Sequence, residues 1–177
     1  MKSEIIQVDN LGNGFKKVEE IALQYAGFGN LNAHEALRLQ LITEEMQNLV
    51  RMITGEISMS FWIEYEGGKY LLHLSTKTVM DKEKRALLLS SSSSRKNEAA
   101  HSLLGKLRDS FEKAMLSEGP ERANSIPDEL MHDVYYSYTD QEWDKYESSV
   151  LRKLADDIKI SIRGKLVELT VCKSFTF

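Results

Sequence analysis

Glu44 and Asn48 stand four residues apart in the run Leu39-Gln40-Leu41-Ile42-Thr43-Glu44-Glu45-Met46-Gln47-Asn48-Leu49-Val50. On a helix, about 100° per residue brings the two side chains to one side, a turn apart. A carboxylate and an amide carbonyl so placed suit work on a hard cation. The Asn48 oxygen can ligate Mg²⁺, and Glu44 can orient or deprotonate a water or hydroxyl. Leu37 and Leu41 project to the same side, so the pair ends a second apolar stripe and a half-buried setting is expected. A carboxylate there needs a partner to offset its desolvation. The other reading is structural: Glu44 pairs with a nearby Lys or Arg, and Asn48 is a satisfied amide.

The elements that must position this pair are legible around it. Asn32 with Glu35 three residues on forms a capping-box pattern. Leu39, Ile42, Met46, Leu49 and Ile53 then alternate spacings of three and four, which predicts a helix from Ala33 to Ile53 stopped by Gly55. Ile5 to Val8 reads as a short strand, and Phe15, Val18, Ala22 and Tyr25 as a helix over Phe15 to Ala26. Ile57 to Tyr65 alternates with period two, Gly67-Gly68 turns, and Tyr70, Leu72 and Leu74 continue on a partner strand. Ser90 to Ser94 reads as a solvated, mobile loop. Ala100, Leu103, Leu104, Leu107, Phe111 and Met115 mark a helix, expected to lie with the first long helix on one face of the sheet. Residues from about 117 to 140 hold both prolines and few periodic apolar positions, and read as an insertion. Trp143, Tyr146, Val150 and Leu154 restore a helix. Ile158 to Ile162 and Val167 to Val171 form a terminal hairpin about Arg163-Gly164-Lys165. Hairpins dominate the strand connections. The expected fold class is α+β: a two-layer α/β sandwich with a mixed, mostly antiparallel sheet covered by helices on one face.

Composition narrows the functional classes. Hydrophobic residues make 42% of the 177 and charged residues 28%, which fits one globular domain rather than a disordered chain. A net charge of −4 and only short basic clusters, such as Lys82, Lys84 and Arg85, argue against a nucleic-acid partner. Cys172 is the single cysteine, which suits a reducing compartment. The N-terminus lacks the apolar core of a signal peptide, and no run reaches the ~20 apolar residues of a membrane span. The expectation is a cytoplasmic protein with no membrane partner. His34, His73, His101 and His132 are scattered without zinc spacing. P-loop, Rossmann and nucleophile-elbow motifs are absent. The tyrosines Tyr135, Tyr136 and Tyr138 with Trp143 form an aromatic group that suits either a contact surface or packing of the insertion.

Taken with the order of elements, the Leu39–Val50 run resembles the N-box of the GHKL (Bergerat-fold) ATP-binding superfamily, which includes histidine-kinase ATPase domains and anti-sigma-factor serine kinases. The resemblance spans most of the chain and implies a single GHKL-like domain over 1–177 with an insertion. It implies ATP and Mg²⁺ as cofactors, with Glu44 matching the general base and Asn48 the Mg²⁺ ligand. It places the lid and phosphate loop at Ser90 to Lys96, where Arg95 and Lys96 would meet phosphate, and makes Gly105 a remnant of the glycine-rich box. The Asp-x-Gly-x-Gly box that reads adenine is not matched: its place holds Leu74-Ser75-Thr76-Lys77-Thr78-Val79-Met80-Asp81. Two functions follow. One is a GHKL-type ATP-binding regulatory protein, akin to an anti-sigma-factor kinase, with a protein partner and possible homodimerisation. The other is a degenerate, non-catalytic interaction module of the same fold that no longer binds ATP.

Overall fold

The computed structural model describes residues 1–9, 11–117 and 147–175. The insertion read at about 117–140 therefore falls almost wholly outside the described residues. In chain order the elements are β1 (Ile6–Val8), α1 (Phe15–Phe28), α2 (Ala33–Thr54), β2 (Met59–Glu66), β3 (Lys69–Lys77), α3 (Lys82–Ser91), a 3-10 turn (Glu98–Ala100), α4 (Leu103–Ser117), α5 (Glu147–Leu154), β4 (Asp157–Arg163) and β5 (Leu166–Ser174). The five strands form one open sheet in the order β1-β2-β3-β5-β4, and every neighbouring pair is antiparallel. The α+β sandwich is as expected, with no parallel strand pair among the described strands.

Period-two alternation builds the sheet's buried face. Phe61, Ile63, Tyr70, Leu72, Leu74, Ile158, Ile160, Val167, Leu169 and Val171 are sealed from solvent. Against them α1 buries Val18, Ile21, Ala22 and Tyr25, and α2 buries Leu39, Ile42, Met46, Leu49 and Val50. Leu151 of α5 joins the same core. At Gly29 any side chain would collide with the Tyr70 hydroxyl, which donates to the Tyr25 carbonyl at 3.3 Å. The capping box of α2 is present. Asn32 Oδ1 accepts from the His34 and Glu35 amides at 3.0 Å, and Glu35 Oε2 accepts from the Asn32 amide at 3.0 Å.

The structure departs from the sequence reading after β3. Asp81 caps a helix, accepting the Lys84 amide at 2.7 Å, and α3 runs on through Ser90 and Ser91. The next residues do not loop away. The Ser93 amide donates to the Ile158 carbonyl at 2.9 Å, and Ser93 Oγ accepts the Ile158 amide at 2.8 Å. Asn97 repeats the pattern with its side chain: Oδ1 accepts the Ile162 amide at 2.8 Å, and Nδ2 donates to the Ile162 carbonyl at 3.0 Å. Since β4 is an edge strand, these residues fill the pairing groups that an edge leaves open.

Asn97 is itself tied inward. Its Nδ2 donates to Asp109 Oδ1 at 2.6 Å, and the same carboxylate pairs with Arg85 Nη2 and, at 2.8 Å, with Lys113 Nζ. Arg85 and Asp109 are 5% and 6% exposed, so the pair is a buried one. Glu112 extends the network, lying 3.8 Å from Arg85 and accepting the Gly164 amide at 3.0 Å. Consequently α4 does not lay an apolar side on the sheet, as its periodicity predicts. Its buried side carries Gly105 and Asp109, while Leu104, Leu107, Phe111 and Met115 face out.

Burial pushes the Asp109 carboxyl up. Hydrogen bonds from Lys113 and Asn97 and the charges of Arg85 and Lys113 outweigh it, so its pKa falls below the ordinary carboxylate value. A depressed folded-state pKa stabilises above the unfolded value of about 3.9 and loses that contribution as pH falls through the folded value. Asp109→Ala strands a buried guanidinium whose Nε and Nη1 lack hydrogen-bond partners among the described residues. Urea unfolding is expected to show a loss of about 3–5 kcal/mol at neutral pH. The gap between the two proteins should narrow as the pH drops below about 4. Ser94→Ala, at an exposed site, should change stability by less than about 0.5 kcal/mol.

Candidate functional site

Helical spacing predicts a half-buried pair on α2, and the structure splits it. Glu44 is exposed and makes no hydrogen bond or ion pair among the described residues, while Asn48 is half-buried. Leu37, on the same side, is 61% exposed, so the second apolar stripe is not a buried one. With water at hand, the Glu44 carboxylate carries no desolvation penalty that a metal must offset. Asn48 Oδ1, the oxygen that a cation would need, receives a long contact from Arg51 Nη2 at 3.4 Å. The Arg51 guanidinium also lies 5.9 Å from the centre of the Phe15 ring. A second cation on that oxygen would meet the guanidinium charge, so the residues present are a poor fit for Mg²⁺. Among the described residues no three acidic, His or Cys side chains gather as a metal cluster.

The buried polar row of α2 is a different one, Thr43, Gln47 and Thr54. The threonine hydroxyls donate to the carbonyls of Leu39 and Val50 at 2.9 and 2.7 Å. Gln47 Nε2 donates to the Thr43 carbonyl at 3.1 Å, and its Oε1 is buried without a partner among the described residues. Spacings of four, three and four through Thr43, Gln47, Val50 and Thr54 carry the signal. Polar types mask it, because apolar periodicity alone picks out Leu39, Ile42, Met46, Leu49 and Ile53.

The residues assigned to phosphate lie elsewhere. Arg95 and Lys96 are exposed in the turn beside β4, with Arg95 in the left-handed region at φ 54°. No hydrogen bond or ion pair joins them to Glu44 or Asn48. Gly105 has a packing reason: an added Cβ would overlap the Ala99 carbonyl oxygen, and its amide donates to Ser102 Oγ at 2.9 Å. The expected loop is thus a strap, with Ser92 fully buried and Ser93 and Asn97 bonded to β4.

A second polar cluster lies on the sheet face away from the main helices. Register sets Trp62, His73, Thr170 and Lys159 in one row across β2, β3, β5 and β4. Trp62 and His73 stack at 4.8 Å with planes 6° apart, and Lys2 Nζ lies 5.3 Å from the indole centre. His73 Nδ1 and Thr170 Oγ1 share a hydrogen bond of 3.1 Å, and His73 Nε2 is 4.0 Å from Glu64. The row borders a shallow groove of about 240 Å³ with Ser161, Arg163, Glu168 and Glu98. Period two in β3 sets His73 on the opposite face from Leu72 and Leu74, but pairing it with Trp62 requires the hairpin register.

No family model matches the chain, and no curated protein matches it. Among the described residues no helix is long and apolar enough to cross a membrane.

Burial lowers the His73 pKa from 6.5 and outweighs the opposing pull of Glu64. His73 should therefore titrate below 6.5 in an NMR pH series. Glu64→Gln removes the stabilising negative charge and should lower it further. An unchanged or higher value in the variant would rule out that electrostatic link.

Proposed function

We propose that this chain is a GHKL-like regulatory module that acts through protein contacts rather than phosphoryl transfer. The observation that carries this reading is the strap. Where the GHKL fold needs a loop free to wrap phosphate, residues 93–97 are committed to β4 and Asn97 to the buried Asp109 carboxylate. Freeing them for a nucleotide means breaking four hydrogen bonds to β4, each with a net worth of about 0.5–1.5 kcal/mol. The missing Asp-x-Gly-x-Gly box points the same way. An acidic net charge and a lone thiol fit a cytoplasmic protein that meets another protein rather than nucleic acid.

A second reading, Mg²⁺-dependent ATP binding with Glu44 as base, is favoured by one observation. Glu44 is open to solvent a turn from the half-buried Asn48 on α2. The two readings part in calorimetry. The module should give no heat of binding with ATP or GTP at millimolar concentration, with or without Mg²⁺. Saturable ATP binding that Mg²⁺ strengthens and Asn48→Ala weakens would establish the second reading. Phosphoryl transfer lost in Glu44→Gln with binding retained would add catalysis to it.

A further inference from the structure

We propose that the outward stripe of α4 is the docking face for the chain's own segment 118–146, which supplies apolar side chains to cover it. Leu104, Leu107, Phe111 and Met115 are 61–81% exposed and recur at spacings of three, four and four, so they form one continuous face three turns long. Four large apolar side chains aligned on one helix exceed the scattered exposure of an ordinary surface. The stripe is not there for want of an alternative rotation. The Arg85–Asp109 pair and the packing of Gly105 against Ala99 fix which side of α4 turns inward.

The segment is matched to this face by position, length and charge. It starts directly after α4, three residues beyond Met115, and rejoins the fold at Glu147, the first residue of α5. Its 29 residues can reach about 95 Å when extended, against about 22 Å for the axis of α4. It therefore has chain enough to run back along the helix and return. It contains Leu130, Met131, Val134, Tyr135, Tyr136, Tyr138 and Trp143. It also holds eight acidic residues against two basic ones, whereas the rest of the chain has 21 basic and 19 acidic. Arg108, one turn from both Leu104 and Phe111, is half exposed at the stripe's margin and, among the described residues, keeps donors free beyond its Nε contact with Glu112 at 3.5 Å. Tethering gives the segment an effective concentration in the millimolar range, ahead of a free partner of equal affinity.

Trp143 and Trp62 are the two tryptophans of the 177 residues, so the same chain carrying Trp62→Phe reports on Trp143 alone. Its emission should be blue-shifted, with acrylamide quenching several-fold weaker than for free tryptophan. Leu107→Asp with Phe111→Asp should raise quenching to the level of free tryptophan, while Phe111→Leu should preserve the protection. Urea unfolding of each variant checks that the fold persists, and Arg108→Glu offers a milder change that should weaken protection in part. Trp143 quenched like free tryptophan in the parent protein would overturn the proposal. So would protection that every α4 substitution leaves untouched. A dimer in sedimentation that dissociates in the Asp variant, with Trp143 open throughout, would assign the face to a second copy instead. Binding of the 177-residue chain to anionic vesicles through the stripe, with Trp143 open, would assign it to a membrane surface and equally overturn the proposal.

Discussion

One buried carboxylate governs the half of the molecule that follows β3. Asp109 gathers Arg85 from α3, Asn97 from the strap and Lys113 from its own helix, and through Asn97 it reaches the Ile162 backbone on β4. A charge pair this buried adds little net stability over a packed apolar replacement, but removing one partner is costly. Its value is in specifying arrangement. It turns the polar side of α4 inward, commits the strap to an edge strand, and leaves the apolar stripe of α4 outward. The strap, the reversed helix and the unfilled stripe are consequences of one constraint.

That constraint explains where sequence reasoning succeeded and where it stopped. Elements whose burial follows a single period were legible: both hairpins, the stripe of α1 and the capped helix α2. Asp81 with Glu83 in the first turn is a start signal for α3 that apolar periodicity does not register. The serine run was read by composition, and composition cannot show that Ser93 and Asn97 have backbone partners about 65 residues away. For α4, apolar periodicity located the helix but predicted the wrong side inward. The rule that apolar stripes face the core assumes no buried ion pair to satisfy. The candidate site fared similarly: spacing put Glu44 and Asn48 on one side of α2, but the neighbouring Leu37 proved exposed, and with it the setting assumed for the carboxylate.

The two polar regions, on α2 and on the sheet's outer face, differ in what they can do. Glu44 is open and Asn48 half-buried with one long contact, so the pair can serve recognition without repacking the fold. Trp62, His73 and Thr170 are held by stacking and hydrogen bonding across three strands, which is how a sheet surface is made rigid. Among the described residues the α2 pair has no hydrogen bond or ion pair to the strap, and the outer-face groove meets it only where Ser94 Oγ donates to Glu98 at 3.3 Å, so the regulatory reading rests on the strap's own attachment to β4.

The central claim is that Asn97 and Asp109 act as one unit in holding the strap on β4. A double-mutant cycle with Asn97→Ala, Asp109→Asn and the double variant measures this directly by urea unfolding. The account predicts a coupling energy of about 1 kcal/mol or more, because each residue's contribution depends on the other being in place. Effects that add to within about 0.5 kcal/mol would contradict it, and would leave the strap free to act as the loop its sequence resembles.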